Sequence, residues 1–202
     1  METIVLMQSA PEFPDPLLAA ADRLFYRHGV QAVGMDALRA EAGLPLRRMY
    51  RLYPSKDALV SAYLESRDQR WRAWLRGRVA ELADEPLGQV LAVFDALEEW
   101  FASDEFRGCA FINATAELDA SAPSVRAQAE SHKRAVRDDL TGRLQLAGFD
   151  RDAGDIAAHL MVLIDGATVQ AGLGVDGDAA MRAKRLAERL IGEVPSSRTS
   201  ET

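Results

Sequence analysis

Apolar residues recur every three or four positions along almost the whole chain, and this spacing constrains the fold more than any other feature. Such a period puts them on one face of an α-helix, whereas a half-buried strand would alternate at every second residue. No segment has a convincing strand pattern, so the chain is predicted to be all-α. The first predicted helix has an apolar stripe over 17–25 and ends at Gly29. The other predicted helices are 35–42, 46–52, 56–79, 87–102, 108–119, 124–147, 152–172 and 178–193.

The helix lengths divide the chain into a small module and a larger bundle. Three short helices come first, and six longer ones follow from Lys56 onward. We therefore place a small N-terminal domain at 15–54 and a larger helical domain at 55–194. Segments 1–14 and 195–202 lack helical periodicity and are predicted to be a mobile arm and tail.

Cysteine use and hydropathy limit where the chain can work. A single cysteine, Cys109, excludes an internal disulfide and fits a reducing compartment. No apolar run reaches the length of about 20 residues that a membrane span needs. The first ten residues lack the basic flank of a signal peptide. These features predict a cytoplasmic protein without a membrane partner.

The charge is unevenly distributed between the two predicted domains. The net charge is −7, which argues against nucleic-acid binding by the whole surface. Residues 15–58 contain seven Lys or Arg and five Asp or Glu, a net of +2, which leaves −9 for the remainder. Any contact with a polyanion is thus expected from the N-terminal quarter, although a charge cluster alone can be merely a solvated face.

The segment from Met35 to Tyr53 has the features of a helix-turn-helix. Two short helices flank Gly43, which tolerates the sharp reversal that this motif needs. The second helix exposes arginines whose guanidinium groups can reach guanine edges or phosphates in the major groove. A small core is expected from Leu24, Phe25, Leu38, Ala42, Leu44, Met49 and Leu52.

The same segment resembles the tetracycline-repressor (TetR) family of regulators. The resemblance covers residues 16–64 without a gap. It is carried by Phe25-Tyr-Arg-His-Gly29, Asp36-Ala-Leu38, Ala42-Gly-Leu44, Met49-Tyr50 and Tyr53-Pro-Ser-Lys-Asp-Ala-Leu59. A weaker similarity lies at Gly108-Cys-Ala-Phe-Ile-Asn113 with Glu117. The resemblance to the TetR family implies an Ω-shaped homodimer with two DNA-reading heads and two ligand-binding bodies. It also implies a repressor that a small effector releases from a near-palindromic operator.

The resemblance also implies roles for individual residues in DNA binding. Base-reading positions at the start of the recognition helix correspond to Pro45, Leu46, Arg47 and Arg48. Phosphate-holding positions correspond to Tyr50, Tyr53 and Lys56, with Gly34 at the start of the second helix.

Three features depart from the family pattern. Val33-Gly34 replaces the usual Thr/Ser pair, and Arg39 stands where a small residue is customary. Glu12 and Asp15 replace basic residues that often precede the first helix. These departures suggest fewer phosphate contacts.

Helix 152–172 is apolar nearly all round, which indicates burial on two sides. One side is expected to face a partner subunit, together with the apolar face of helix 178–193, in a four-helix interface. The predicted interface residues are Ile156, Leu160, Ile164, Leu186 and Leu190.

Aromatic and polar residues on otherwise apolar faces suggest a cavity for a largely apolar effector. The candidates are Trp71, Trp74, Phe94, Trp100, Phe101, Cys109, Phe111, Asn113, Glu117, His159 and Asp165. Plain core packing is the competing interpretation for each of them. For Cys109, a buried small hydrophobe is favoured over a redox sensor, because reactivity needs exposure and a lowered pKa.

Enzymatic alternatives have little support, and no cofactor, metal or catalytic residue is predicted. Gly172-Leu-Gly-Val-Asp-Gly177 spells a dinucleotide fingerprint but follows a predicted helix instead of a strand. A di-metal bundle would need Glu-x-x-His, whereas Ala129 and Ile156 precede His132 and His159 at that spacing. An interaction protein without DNA binding would not require exposed arginines after a tight turn.

Overall fold

The computed structural model describes residues 15–118 and 122–194, and within these ranges the fold is all-α with no strand. The helices are α1 (Pro16–His28), α2 (Met35–Ala42), α3 (Leu46–Leu52), α4 (Lys56–Leu82), α5 (Pro86–Phe101), α6 (Ala110–Leu118), α7 (Pro123–Leu146), α8 (Ala153–Gly172) and α9 (Ala179–Gly192). This confirms the predicted fold class and the order of its helices. The predicted mobile arm and tail, 1–14 and 195–202, lie outside the described residues.

Side-chain caps define the beginnings of two helices. Asp15 accepts a hydrogen bond from the backbone N–H of Leu18 at 2.9 Å, and Pro16 occupies the first position of α1. The Ser55 hydroxyl accepts one from the N–H of Ala58 at 3.1 Å at the start of α4. Both caps satisfy amide groups that have no partner within the helix.

The chain packs as two compact units. Within the described ranges, the head unit contains 15–71, 109–118 and 122–132, and the body unit contains 72–108 and 133–194. The head unit thus includes α6 and the first part of α7 in addition to the three short helices. The functional boundary after residue 54 stays a prediction.

The core of the head unit is formed by apolar residues from α1, α2, α3, α4 and α6. Leu38 and Met49 are fully buried, and Leu24, Ala42 and Leu44 pack against the core at its edge. Leu52 is 41% exposed, so its predicted place in this core was wrong. Burial of Met49 fixes which face of the short helix α3 turns inward.

A largely buried carboxylate, with 14% of its side chain exposed, connects α1 to α4 in the head unit. Asp22 accepts hydrogen bonds from Arg67, at 3.1 Å, and from Arg70 through the same oxygen, Oδ1. Both arginines are at most 7% exposed, and the guanidinium carbon of Arg67 lies 3.4 Å from the ring centroid of Tyr26. Two cations at one anion can lie inside a protein because their attraction offsets part of the cost of desolvation.

The body unit is built on α5, α8 and α9, with α9 packed against both other helices. Lys184 of α9 donates to both carboxylate oxygens of Asp95 on α5, at 2.7 and 2.8 Å. Arg78 of α4 makes a two-pronged contact with Glu99 of α5, with both distances 2.7 Å. These pairs fix the faces that the helices turn toward each other.

The residues of α8 that were predicted to face a partner subunit are buried within the chain itself. Ile156, Leu160 and Ile164 are at most 4% exposed within a single chain, so they pack in its own core. The exposed apolar side chains of α8 and of the turn after it are instead Val162, Val169, Leu173 and Val175. On α9, Leu186 is half exposed and Leu190 is partly buried.

We expect Asp22→Asn to lower the free energy of unfolding by roughly 3–5 kcal/mol, because it removes the charge that two buried guanidinium groups contact. Urea unfolding followed by circular dichroism measures the change. Asp36→Asn is the matched control, since Asp36 pairs with Arg39 at 3.7 Å on the surface and should matter little. Equal effects of the two substitutions would show that the buried pair contributes nothing.

Candidate functional site

The turn between α2 and α3 has the local structure of a helix-turn-helix. Gly43 ends α2 in the left-handed conformation, at φ 64°, and its N–H donates to the carbonyl of Arg39 at 3.1 Å. Pro45 then precedes α3 as its N-cap residue, and its carbonyl accepts from the N–H groups of Arg48 and Met49 at 2.8 and 3.2 Å. The reversal is thus completed within three residues.

The outer face of α3 is open to solvent. Pro45, Leu46, Arg47, Arg48 and Tyr50 are all exposed, which is the placement that a base-reading helix requires. Within the described part of the chain, the side chains of Arg47 and Arg48 make no hydrogen bond or ion pair. Their guanidinium groups are therefore available to an external acceptor.

Tyr53 is held by α1 instead of facing solvent freely. Its hydroxyl donates to Oδ2 of Asp15 at 2.7 Å, while Oδ1 of the same carboxylate caps α1. Burial, followed by the hydrogen bond and the charge of Asp15, raises the pKa of Tyr53 well above its ordinary value, so the hydroxyl stays protonated. The sequence associated Asp15 only with a missing phosphate contact, whereas in the structure its carboxylate holds the Tyr53 hydroxyl in place.

Gly34 and Lys56 stand at the beginnings of α2 and α4. Gly34 is exposed and precedes α2 without a side-chain cap, as expected for a residue that lacks a hydroxyl. Lys56 is partly buried in the first turn of α4.

Glu117 contacts the linker between α1 and α2 instead of an aromatic cluster. Its Oε2 accepts from the backbone N–H of Gln31 at 2.8 Å, and its carbonyl accepts from the Gln31 side chain. Gly29 has φ 86°, and a Cβ built there would lie 2.8 Å from Oε1 of Glu117. We name this contact of Glu117 with Gly29 and Gln31 the linker clasp.

The predicted aromatic residues divide between the two units. In the head unit, the ring of Phe111 stacks on His132 at 4.0 Å and 10°, and Trp71 lies edge-on to the same imidazole at 5.3 Å. His132 is 5% exposed, and its Nδ1 lies 2.6 Å from Oδ1 of Asp68. The sequence held a signal for His132, because it continues the buried stripe of α7 at helical spacing from Val125.

A second aromatic cluster lies in the body unit. Trp100 is 6.4 Å from Trp74 and 4.9 Å from Phe106, and Phe106 is 4.8 Å from Phe101, all between ring centroids. Phe106 was missed in the sequence because it falls between predicted helices. Phe94 is fully buried.

The remaining predicted pocket residues have other surroundings. Asn113 and His159 are exposed, and Asp165 pairs with Lys133 of α7. Cys109 is 8% exposed and belongs to the core of the head unit, which favours its interpretation as a small hydrophobe.

Other chemistries receive no support from the described residues. Among them, no group of three or more His, Cys, Asp or Glu is placed to hold a metal ion. The glycines from Gly172 to Gly177 follow helix α8, whereas a dinucleotide site needs a strand there. No described helix is long and apolar enough to span a membrane.

Comparison with known families matches both parts of the chain. The family described as "Bacterial regulatory proteins, tetR family" matches residues 17–63. The "Tetracyclin repressor-like, C-terminal domain" matches residues 86–187. A comparison with curated proteins finds no significant match.

Solved structures support the same assignment. A TetR-family transcriptional regulator from Streptomyces coelicolor is 32% identical, with a TM-score of 0.77 over 89% of this chain and 94% of that one. A putative TetR transcriptional regulator from Streptomyces avermitilis is 29% identical, with a TM-score of 0.71 over 86% and 96%. The reduced form of NemR from Escherichia coli, at 21% identity and a TM-score of 0.77 over 86% and 94%, shares the fold.

We expect Gly29→Ala to destabilise the chain by about 2 kcal/mol or more, because its backbone conformation is almost exclusive to glycine and the new Cβ would press on Glu117. Gly43→Ala is the matched control. It also has a positive φ, but no atom lies within 4 Å of its Cβ position, so it should cost only about 1 kcal/mol. Chemical unfolding compares the two variants, and an equal loss would mean that the linker clasp adds no constraint.

Proposed function

The chain belongs to the TetR family of bacterial regulatory proteins, and we propose that it is a cytoplasmic repressor that a small, largely apolar effector releases from a near-palindromic operator. It is a transcriptional regulator with a DNA-binding helix-turn-helix. The observation that carries the proposal is the exposed face of α3, whose arginines have no protein partner among the described residues. An unpaired guanidinium on such a helix is suited to guanine edges and phosphates.

The proposed roles of individual residues in DNA binding follow from the exposure of their side chains. Leu46, Arg47 and Arg48 lie at the start of α3, the part of a recognition helix that contacts base edges. Tyr50 and Lys56 are proposed to contact phosphates. Tyr53 supports that surface through Asp15 instead of donating its hydroxyl to a phosphate.

Dimerisation is proposed through the exposed side of α8 and α9. Val162 and Val169 lie at helical spacing on one face of α8, and Leu173 follows in the turn after it. Gly166 lies between the two valines, with nothing within 4 Å of its Cβ position. Leu186 adds an exposed apolar residue on α9. Apolar side chains of this size on a continuous face are suited to a two-fold contact with a second copy of the chain. This surface replaces the one expected from Ile156, Leu160 and Ile164.

A dimer explains why the operator should be near-palindromic. A two-fold axis presents two identical recognition helices to half-sites about one DNA turn, roughly 34 Å, or a multiple apart. The effector acts by favouring a state in which that spacing no longer matches. Its effect is limited to its preference for the released state, typically about 1–3 kcal/mol of coupling, and DNA must weaken effector binding equally.

Arg48→Ala is expected to cost about 1–3 kcal/mol in binding to the specific duplex and to relax base preference at one position. Lys56→Ala is the matched comparison and should weaken specific and random duplexes alike, with a shallower salt dependence. Fluorescence anisotropy on a duplex recovered from genomic fragments, and on a random duplex, measures both. Equal losses on the two duplexes for Arg48→Ala would contradict a base-reading role.

Val162→Glu is expected to convert a dimer into a monomer, because it places a charge in the proposed apolar contact. Leu146→Glu is the matched control, since Leu146 is similarly exposed but lies on α7. Sedimentation velocity reports the oligomeric state of the two variants and the parent. A dimer that survives Val162→Glu, or that Leu146→Glu also dissociates, would place the interface elsewhere.

A further inference from the structure

Leucines stand at both ends of α3, and both are open to solvent. Leu46 is 43% exposed and Leu52 is 41% exposed. In the part of the chain that the structure describes, neither belongs to the core of the head unit or to the side chains packed at its edge, whereas Leu44 and Met49 do. Each leucine therefore leaves apolar area in water that an external apolar group could cover.

The inward direction of α3 is set by Met49, which is the buried residue of this helix. A helix turns by about 100° per residue, so Arg47 and Arg51 lie opposite Met49. By the same geometry, Leu46 and Leu52 each lie about 60° from Met49, one on either side and at opposite ends of the helix. The two leucines thus have the same exposure and mirrored positions, and they differ in the end of α3 at which they stand.

The two ends of a recognition helix meet different parts of the DNA, because its first residues contact base edges in the major groove. Leu46 is the first residue of α3 and directly precedes Arg47 and Arg48. Leu52 is the last residue of α3, and the next residue, Tyr53, is held to the beginning of α1 through its hydroxyl. A single exposed leucine is common on protein surfaces, but Leu46 stands at the base-reading end.

The base edges of the major groove offer one apolar group, the C5 methyl of thymine. An aliphatic side chain can cover that methyl and exclude water from it, whereas a guanidinium group is suited to the acceptors of guanine. The exposed cations of α3 are Arg47, Arg48 and Arg51. Leu46 therefore supplies a contact that these arginines do not.

We propose that Leu46 covers the C5 methyl group of a thymine in each half-site of the operator, and that it thereby favours thymine at this position. The inference rests on the proposed function, since it takes α3 to be the base-reading helix, and it adds the identity of one base. The arginines beside Leu46 attract the DNA by charge, and the leucine discriminates between bases without a hydrogen bond.

Deoxyuridine in place of thymidine tests the contact, because it removes the C5 methyl and leaves base pairing intact. The probe is the specific duplex recovered from genomic fragments, with the thymines of one half-site replaced one at a time on either strand. Fluorescence anisotropy with the full-length protein gives the affinities. We expect one position at which the replacement weakens binding about fourfold, which is the effect of withdrawing one methyl group from an apolar contact.

Leu46→Ala should weaken binding to the thymine duplex about fourfold or more and should make the protein insensitive to deoxyuridine at that position. The two losses are not additive, because both changes remove the same contact. Leu52→Ala is the matched control and should keep the full sensitivity to deoxyuridine. Alanine favours helix, so both variants should retain α3, and thermal unfolding checks that they fold.

Three results would overturn the role of Leu46 alone while the protein still binds its specific duplex. They are a duplex in which no thymine is sensitive to loss of its methyl group, a sensitivity that survives in Leu46→Ala, and a sensitivity that Leu52→Ala abolishes. A protein that binds no duplex more tightly than random DNA would instead contradict the proposed function, and the role of Leu46 with it.

Discussion

The Asp22 carboxylate, shared by Arg67 and Arg70, is the interaction on which the arrangement of the head unit depends. It connects α1 to α4 through two guanidinium groups that are almost fully buried. Met49 and Leu38 then fix α3 and α2 on the same core. The orientation of the exposed arginines of α3 is thus determined by packing instead of by contacts of their own, as a preformed DNA-reading surface requires.

The head unit also contains α6 and the first part of α7, and this affects how an effector could be sensed. The linker clasp holds the segment between α1 and α2 through Glu117 of α6. A displacement of α6 would therefore be transmitted to the linker of the DNA-binding helices through packed side chains.

The sequence was sufficient for the fold and for the helix-turn-helix, since both depend on local signals such as helical spacing, Gly43 and Ser55. It was insufficient wherever a residue's role depends on a distant partner. The partner of Asp22, Arg67, is far away in sequence, so nothing in the sequence distinguished Asp22 from other acidic residues on helices. Tyr53 is likewise distant from Asp15, so Asp15 was interpreted only as the replacement of a basic residue. Apolar residues occur on nearly all faces of α8, which indicated that the helix is buried on two sides. They did not indicate which side packs in the chain's own core. Glu117 was assigned to a pocket because its partner in the linker is 86 residues away.

Hydrogen exchange measured by mass spectrometry, with and without a specific duplex, tests most directly whether the DNA-binding helices and α6 form one unit. Binding stabilises whatever opens together with the bound surface. The account predicts slower exchange on DNA in α3 and, to a comparable degree, in α6 and at the beginning of α7. Slower exchange confined to residues 35–56, with α6 unchanged, would contradict it.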